Sequence, residues 1–207
     1  MVDDSTLADE TPHPMGEQNG DFLGDWIAVP TADKDGLIEA LGLVDSRAVT
    51  MRAGWEASGS DGCVYLTPEL DDWTLIFGYV LPDGYAVESV RALLNELSRR
   101  FGSAHWYYND YGYTGWAMAE RGELVRLYVS GDSPDADSVV GPPTRAEEDL
   151  QLLLLVNDDE DDEDNDGRPN YDATMLAERA SVDPTAVGPE TRVRGQGRVA
   201  VQPSTDA

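Results

Sequence analysis

Nucleophilic catalysis needs a base held beside a Ser, Thr or Cys, and for that pairing the chain offers only His13, His105 and Cys63. His13 stands in a polar leader and His105 at the start of a strand-like run. Cys63 opens Cys63-Val64-Tyr65-Leu66, where a small buried hydrophobe is the expected role. No catalytic residue is assigned on this basis.

Two carboxylates can hydrolyse a glycoside or phosphate without any other group, and the chain has 41 acidic residues. His105, Asp110 and Glu120 form the best-placed hydrolase set, with Glu123 nearby. Zinc ligation by Cys and His lacks its ligands, and neither a P-loop nor a GxGxxG fingerprint is present. Asp162-Glu163-Asp164-Asn165-Asp166-Gly167 matches the first half of an EF-hand calcium loop, which makes Asp162, Asp164, Asp166 and Asn170 a weak calcium candidate. Ala173 stands where the bidentate Glu belongs and Pro169 where an aliphatic belongs, so a solvated acidic linker is the expected reading. No cofactor is expected.

Recognition chemistry is better represented. Ala104 to Val129 reads as strand, aromatic turn, strand, tight turn and strand, and holds much of the aromatic surface. Tyr and Trp give large contact area at low entropy cost, so a contact surface is expected from Tyr107, Tyr108, Asn109, Asp110, Tyr111, Tyr113 and Trp116. Trp106, Tyr108 and Trp116 also alternate as core positions would. The turn from Tyr107 to Thr114 is therefore its most exposed part.

The elements that must hold this stretch follow from periodicity. Leu23–Val29 is a strand stopped by Pro30, and Gly36–Leu41 a short helix closed by Gly42. Arg47–Arg52, Cys63–Leu66 and Trp73–Val80 are strands, the last apolar enough to be covered on both faces. Val87–Phe101 has the helical period, with Val87, Val90, Leu93, Leu94 and Leu97 on one face and Gly102 as its stop. Arg121-Gly122 is a hairpin turn. Thr144-Arg145-Ala146-Glu147 is a capping-box pattern, while Leu150 to Val156 fits a buried strand and a helix equally.

The expected fold is α+β: a single, mostly antiparallel sheet of about five to seven strands with two to four helices packed on it. A disordered acidic leader covers 1–20, the domain 21–156, an acidic linker 157–170, a short helical element 171–187 and a mobile tail 188–207.

A net charge of −27 disfavours direct binding to a nucleic-acid backbone or an anionic membrane, because both need Lys and Arg. High-salt adaptation, a basic protein partner and mimicry of nucleic-acid charge all fit. Lys34 is the only lysine, which fits a high-GC or halophilic background. One cysteine, no signal-peptide pattern and no apolar run near ~20 residues make a cytoplasmic protein the expectation. The sequence carries no signal for oligomeric state. The leading function is a non-enzymatic acidic binding module, an inhibitor or immunity-like partner of a basic protein. A carboxylate-dependent hydrolase and a nucleic-acid-mimic inhibitor are the alternatives.

Tyr65–Gly78, Leu97–Gly102, Gly115–Tyr128 and Ser181-Val182-Asp183-Pro184-Thr185 together resemble small uncharacterised α+β proteins of high-GC bacteria. That resemblance spans roughly residues 22 to 200. It implies a fold and no activity, and it implies that Asp172–Thr185 is a folded element.

Overall fold

In the central strands both alternating sets of side chains are apolar, which requires a sheet covered on both faces. The computed structural model describes residues 12–16, 24–78, 81, 86–110, 113–129, 139–150 and 173–203. In chain order these form β1 (Gly24–Val29), α1 (Lys34–Ala40), β2 (Val44–Val49), α2 (Met51–Ser58), β3 (Cys63–Leu66), β4 (Glu69–Leu70) and β5 (Thr74–Phe77). Next come α3 (Val87–Phe101), β6 (Ser103–Asp110), β7 (Tyr113–Glu120), β8 (Glu123–Val129), β9 (Val139–Val140) and α4 (Arg145–Asp149). α5 (Ala173–Ala180), β10 (Val193–Arg194) and β11 (Gly197–Val201) complete the set.

Nine strands form one antiparallel sheet in the order β2-β11-β3-β5-β1-β6-β7-β8-β9, and β4 pairs separately with β10. β1 is the middle strand. Its Ile27 and Val29 join a cluster with Leu37 of α1 and Val90, Leu94 and Leu97 of α3. Trp26 and Ala28 point the other way, into a cluster with Met51 of α2, Leu176 and Ala177 of α5, and the flanking Ala146 of α4. The molecule is therefore three layers, with α1 and α3 on one face and α2, α4 and α5 on the other. Each fully buried aliphatic in these layers contributes about 1.5–3 kcal/mol.

The α+β class holds, but the sheet exceeds the expected five to seven strands, and five helices occur among the described residues against an expected two to four. One cause is the C-terminal stretch. The expected mobile tail contains β10 and β11, and β11 lies between β2 and β3, burying Val199 on one face and Ala200 on the other. Gly197-Arg198 precedes Val199-Ala200-Val201 and Gln202-Pro203 follows it, so an apolar run of three is too short to stand out by composition. The expected disordered leader is corrected at one point: Met15 is fully buried, and its N–H donates to the Pro184 carbonyl at 2.9 Å. The expected strand Arg47–Arg52 ends early, because Thr50 caps α2 by accepting from the Ala53 N–H at 3.2 Å.

α3 has the bounds that its period predicts and stops at Gly102. The β7–β8 hairpin turns on Arg121 and Gly122 at φ 51° and 94°, the pair of positive angles that a two-residue turn matching strand twist requires. Neither sheet edge is a long regular strand. β9 has two residues ahead of Gly141-Pro142-Pro143, and β2 carries Asp45 at φ 54° beside an irregular register with β11. Among the described residues no helix is long and apolar enough to cross a membrane.

Candidate functional site

Covering both sheet faces changes the reading of the aromatic stretch. Tyr107 is fully buried and stacks on Trp26 at 5.0 Å between centroids; Tyr108 is buried beside Trp106. Asn109 is buried, and so is Trp116, stacked on Tyr128 at 4.5 Å. These four expected contact residues are core: Tyr108 packs with Trp106 in the cluster on the α3 face, while Tyr107 and Trp116 pack in the cluster of the opposite face, which α5 covers and which the period-two pattern left open to solvent. Asp110 and Tyr113 end β6 and begin β7 as the last paired positions of the hairpin, and Tyr111 lies outside the described residues. Asp162, Asp164, Asp166 and Asn170 also lie outside them.

Beneath α5 runs a buried polar chain. Ser103 Oγ lies 3.1 Å from His105 Nε2, His105 Nδ1 lies 3.1 Å from Tyr107 Oη, and Tyr107 Oη lies 2.8 Å from Ser181 Oγ. The Trp73 ring sits 4.9 Å from the imidazole. Burial lowers the His105 pKa to about 4, and it raises that of Tyr107 against the hydrogen bond with Ser181. At neutral pH the chain is uncharged and satisfied, which suits positioning rather than proton abstraction. Ser181, its outer end, lines a cleft of about 140 Å³ with Asp71, Glu178, Asp183 and Thr191. The expected hydrolase set does not converge: Glu120 is exposed opposite Ser103, and Asp110 is at the far end of β6, roughly 16 Å from His105 at ~3.3 Å per residue.

Two further polar contacts fix the short helices. Asn109 Oδ1 accepts from the Ala173 N–H at 2.9 Å, satisfying an orphan donor at the start of α5, and from Thr114 Oγ1 at 2.9 Å. Arg126, on β8, donates to Glu147 on α4 through Nε and Nη2, and through Nη1 to the Gly141 carbonyl at 2.9 Å. Both side chains are buried, at 5% and 1% exposure. Burial pushes the Glu147 carboxyl up, but hydrogen bonds from Arg126 and Thr144 outweigh it and leave it below its ordinary value. The Thr144 capping box is present, so Glu147 serves both its own helix and the sheet.

α4 and α5 touch each other, and the sequence between them, 151–172, carries nine acidic residues and one arginine. Charge is distributed unevenly along the whole chain. The described residues hold 21 acidic and 13 basic side chains, a net of −8; the remainder holds 20 acidic residues and one arginine, a net of −19. Eight of the described arginines are ion-paired within the molecule, among them Arg100 with Glu39, Arg192 with Asp71 and Asp72, and Arg194 with Glu69. Among the described residues no group of three or more His, Cys, Asp or Glu is placed to hold a metal ion.

Sequence reasoning missed Ser181, Arg126 and the second role of Glu147. The capping box was a readable signal for Glu147, but nothing local announced its partner 21 residues away. Comparison with known proteins finds no matching family model, no matching curated protein and no matching solved structure.

Proposed function

We propose that the protein is a non-enzymatic acidic binding module that masks a basic surface of another protein, in the manner of an inhibitor or immunity partner. The observation that carries this reading is the bond from the Ala173 N–H to Asn109 Oδ1, 2.9 Å long. In sequence Asn109 is followed by Asp110, Tyr111 and, after Gly112, Tyr113, and Ala173 immediately follows the acidic segment. That bond holds the end of β6 against the start of α5. Tyrosine rings and carboxylates both suit lysine and arginine side chains, through cation–π and charge-assisted contacts.

Charge distribution supports the same reading. The arginines of the folded body are largely committed to its own carboxylates, so the excess acid remains for a partner, where it accelerates encounter and selects against acidic surfaces. Pull-down with the immobilised protein at about 50 mM and about 0.5 M salt tests it, because screening shortens the reach of exposed charge severalfold over that range. The expected result is a basic protein retained at low salt and depleted at high salt. Retention of no basic protein at either salt overturns the proposal.

A further inference from the structure

Lys34 is the only lysine of the chain, and it does not project freely into water as surface lysines normally do. It opens α1 half-buried, with Nζ donating to Thr74 Oγ1 at 2.5 Å; the Thr74 hydroxyl in turn donates to the Thr31 carbonyl at 2.5 Å. Thr74 is fully buried, so the amine is held at its inner end by a fixed acceptor. Burial lowers the Lys34 pKa to about 8; Arg198 adds to the effect, and Glu69 and Asp33 oppose it.

Lys34 also lines an open cleft of about 410 Å³ with Asp33, Asp35, Ala48, Gln196 and Arg198, within the ~300–1,000 Å³ range of small-ligand sites. Arg198 Nη1 donates to Asp35 Oδ1 at 2.6 Å, and the Asp35 side chain is 82% exposed. An exposed pair of this kind is worth about 0–1 kcal/mol, so an incoming carboxylate can replace Asp35 on the guanidinium at little cost. Arg198, a carboxylate-binding cation, and Lys34 thus line the same cleft, and the amine reaches a carbonyl there by letting go of Thr74 Oγ1.

We propose that this cleft is a site for a small 2-oxo acid, whose carboxylate binds Arg198 and whose carbonyl condenses with Lys34. The unprotonated Nζ adds to the carbonyl carbon, forming the C–N bond, and a proton passes from nitrogen to oxygen to give a carbinolamine. The C–O bond then breaks, water leaves with a proton taken from solvent, and the nitrogen lone pair forms the C=N bond. Amine, carbonyl and one proton from solvent become protonated imine and water, with no redox change. The carboxylates of Glu69 and Asp33 offset the charge of the protonated imine, as they already do for the ammonium. The site is independent of the partner-binding reading, and failure of one leaves the other standing.

The test is reductive trapping of the full chain with glyoxylate and cyanoborohydride at about pH 8, followed by peptide mapping. With a pKa near 8, about half of Lys34 is neutral there, against under about 1% of an ordinary lysine. The adduct is expected at Lys34 at least about tenfold faster than on Nα-acetyl-lysine, with propanal, which lacks the carboxylate, keeping only the smaller part of that advantage that the lowered pKa supplies. Arg198→Gln should slow glyoxylate trapping severalfold more than propanal trapping, which slows only because loss of the Arg198 charge lets the Lys34 pKa rise. Trapping at Lys34 no faster than on the free amino acid overturns the proposal. Equal advantages for glyoxylate and propanal overturn its carboxylate half, and with it the assignment to an oxo acid.

Discussion

On one face of β6–β8, α3 lays Val90, Leu94 and Leu97 against Ala104, Trp106, Ala117 and Leu127, an almost wholly apolar contact along fifteen residues of helix. On the other face, α4 and α5 have five and eight residues, too few to be stable alone, and they meet Arg126, Asn109 and Tyr107 from the sheet. The long helix needs only its stripe, because burial is non-directional and roughly proportional to area. The short helices need fixed partners. Directional bonds set where each begins or ends, and therefore where the acidic chain between them leaves and returns.

This contrast sets an order of effects. The largest is expected at the buried ion pair. Arg126→Met strands the Glu147 carboxylate and should cost about 3–5 kcal/mol in urea unfolding, while Arg126→Met with Glu147→Leu recovers most of the loss. Equal losses in the single and double variants would erase the distinction between directional and apolar docking here. Leu94→Ala should cost about 2–5 kcal/mol and lower protection throughout the molecule, since it opens a cavity beneath α3.

His105 should make stability depend on pH. Its folded pKa of about 4 lies below the ordinary 6.5, so the unfolded chain binds the proton more tightly. The resulting contribution, up to about 3 kcal/mol, is fully present above pH 6.5 and lost as pH falls through 4. Unfolding of His105→Gln followed between those values should show a flatter profile than wild type. The smallest effect is expected from Asn109→Ala, about 1–2 kcal/mol, confined to faster amide exchange in α5 while α3 stays protected. Loosening of α3 to the same degree would mean the two faces are not separable.

The same contrast explains what was legible in the sequence. α3 could be read to its bounds because its stripe and its glycine stop are local. The β7–β8 hairpin was legible through Arg121-Gly122 and the apolar runs beside it. The core role of Tyr107 was not, because alternation says that two sets of side chains face opposite ways, not whether both are covered. What covers Tyr107 is α5, with Ser181, the residue after its end and 74 positions from Tyr107, bonded to the ring hydroxyl. β11 was missed for a related reason: a central strand supplied from the far terminus is stabilised by its neighbours β2 and β3, and its own composition resembles a tail.

The central claim is that the acidic chain acts from a defined place, and its location can be separated from its amount. Association rates of the captured basic partner should be compared for wild type and for two variants of equal net charge. One converts the eight carboxylates of Asp158–Asp166 to amides; the other converts eight exposed carboxylates elsewhere, Asp45, Asp61 and Glu88 among them. The account predicts that the first slows association by about tenfold or more at low salt and the second by no more than about threefold. Equal slowing in both, or none in the first, would contradict it.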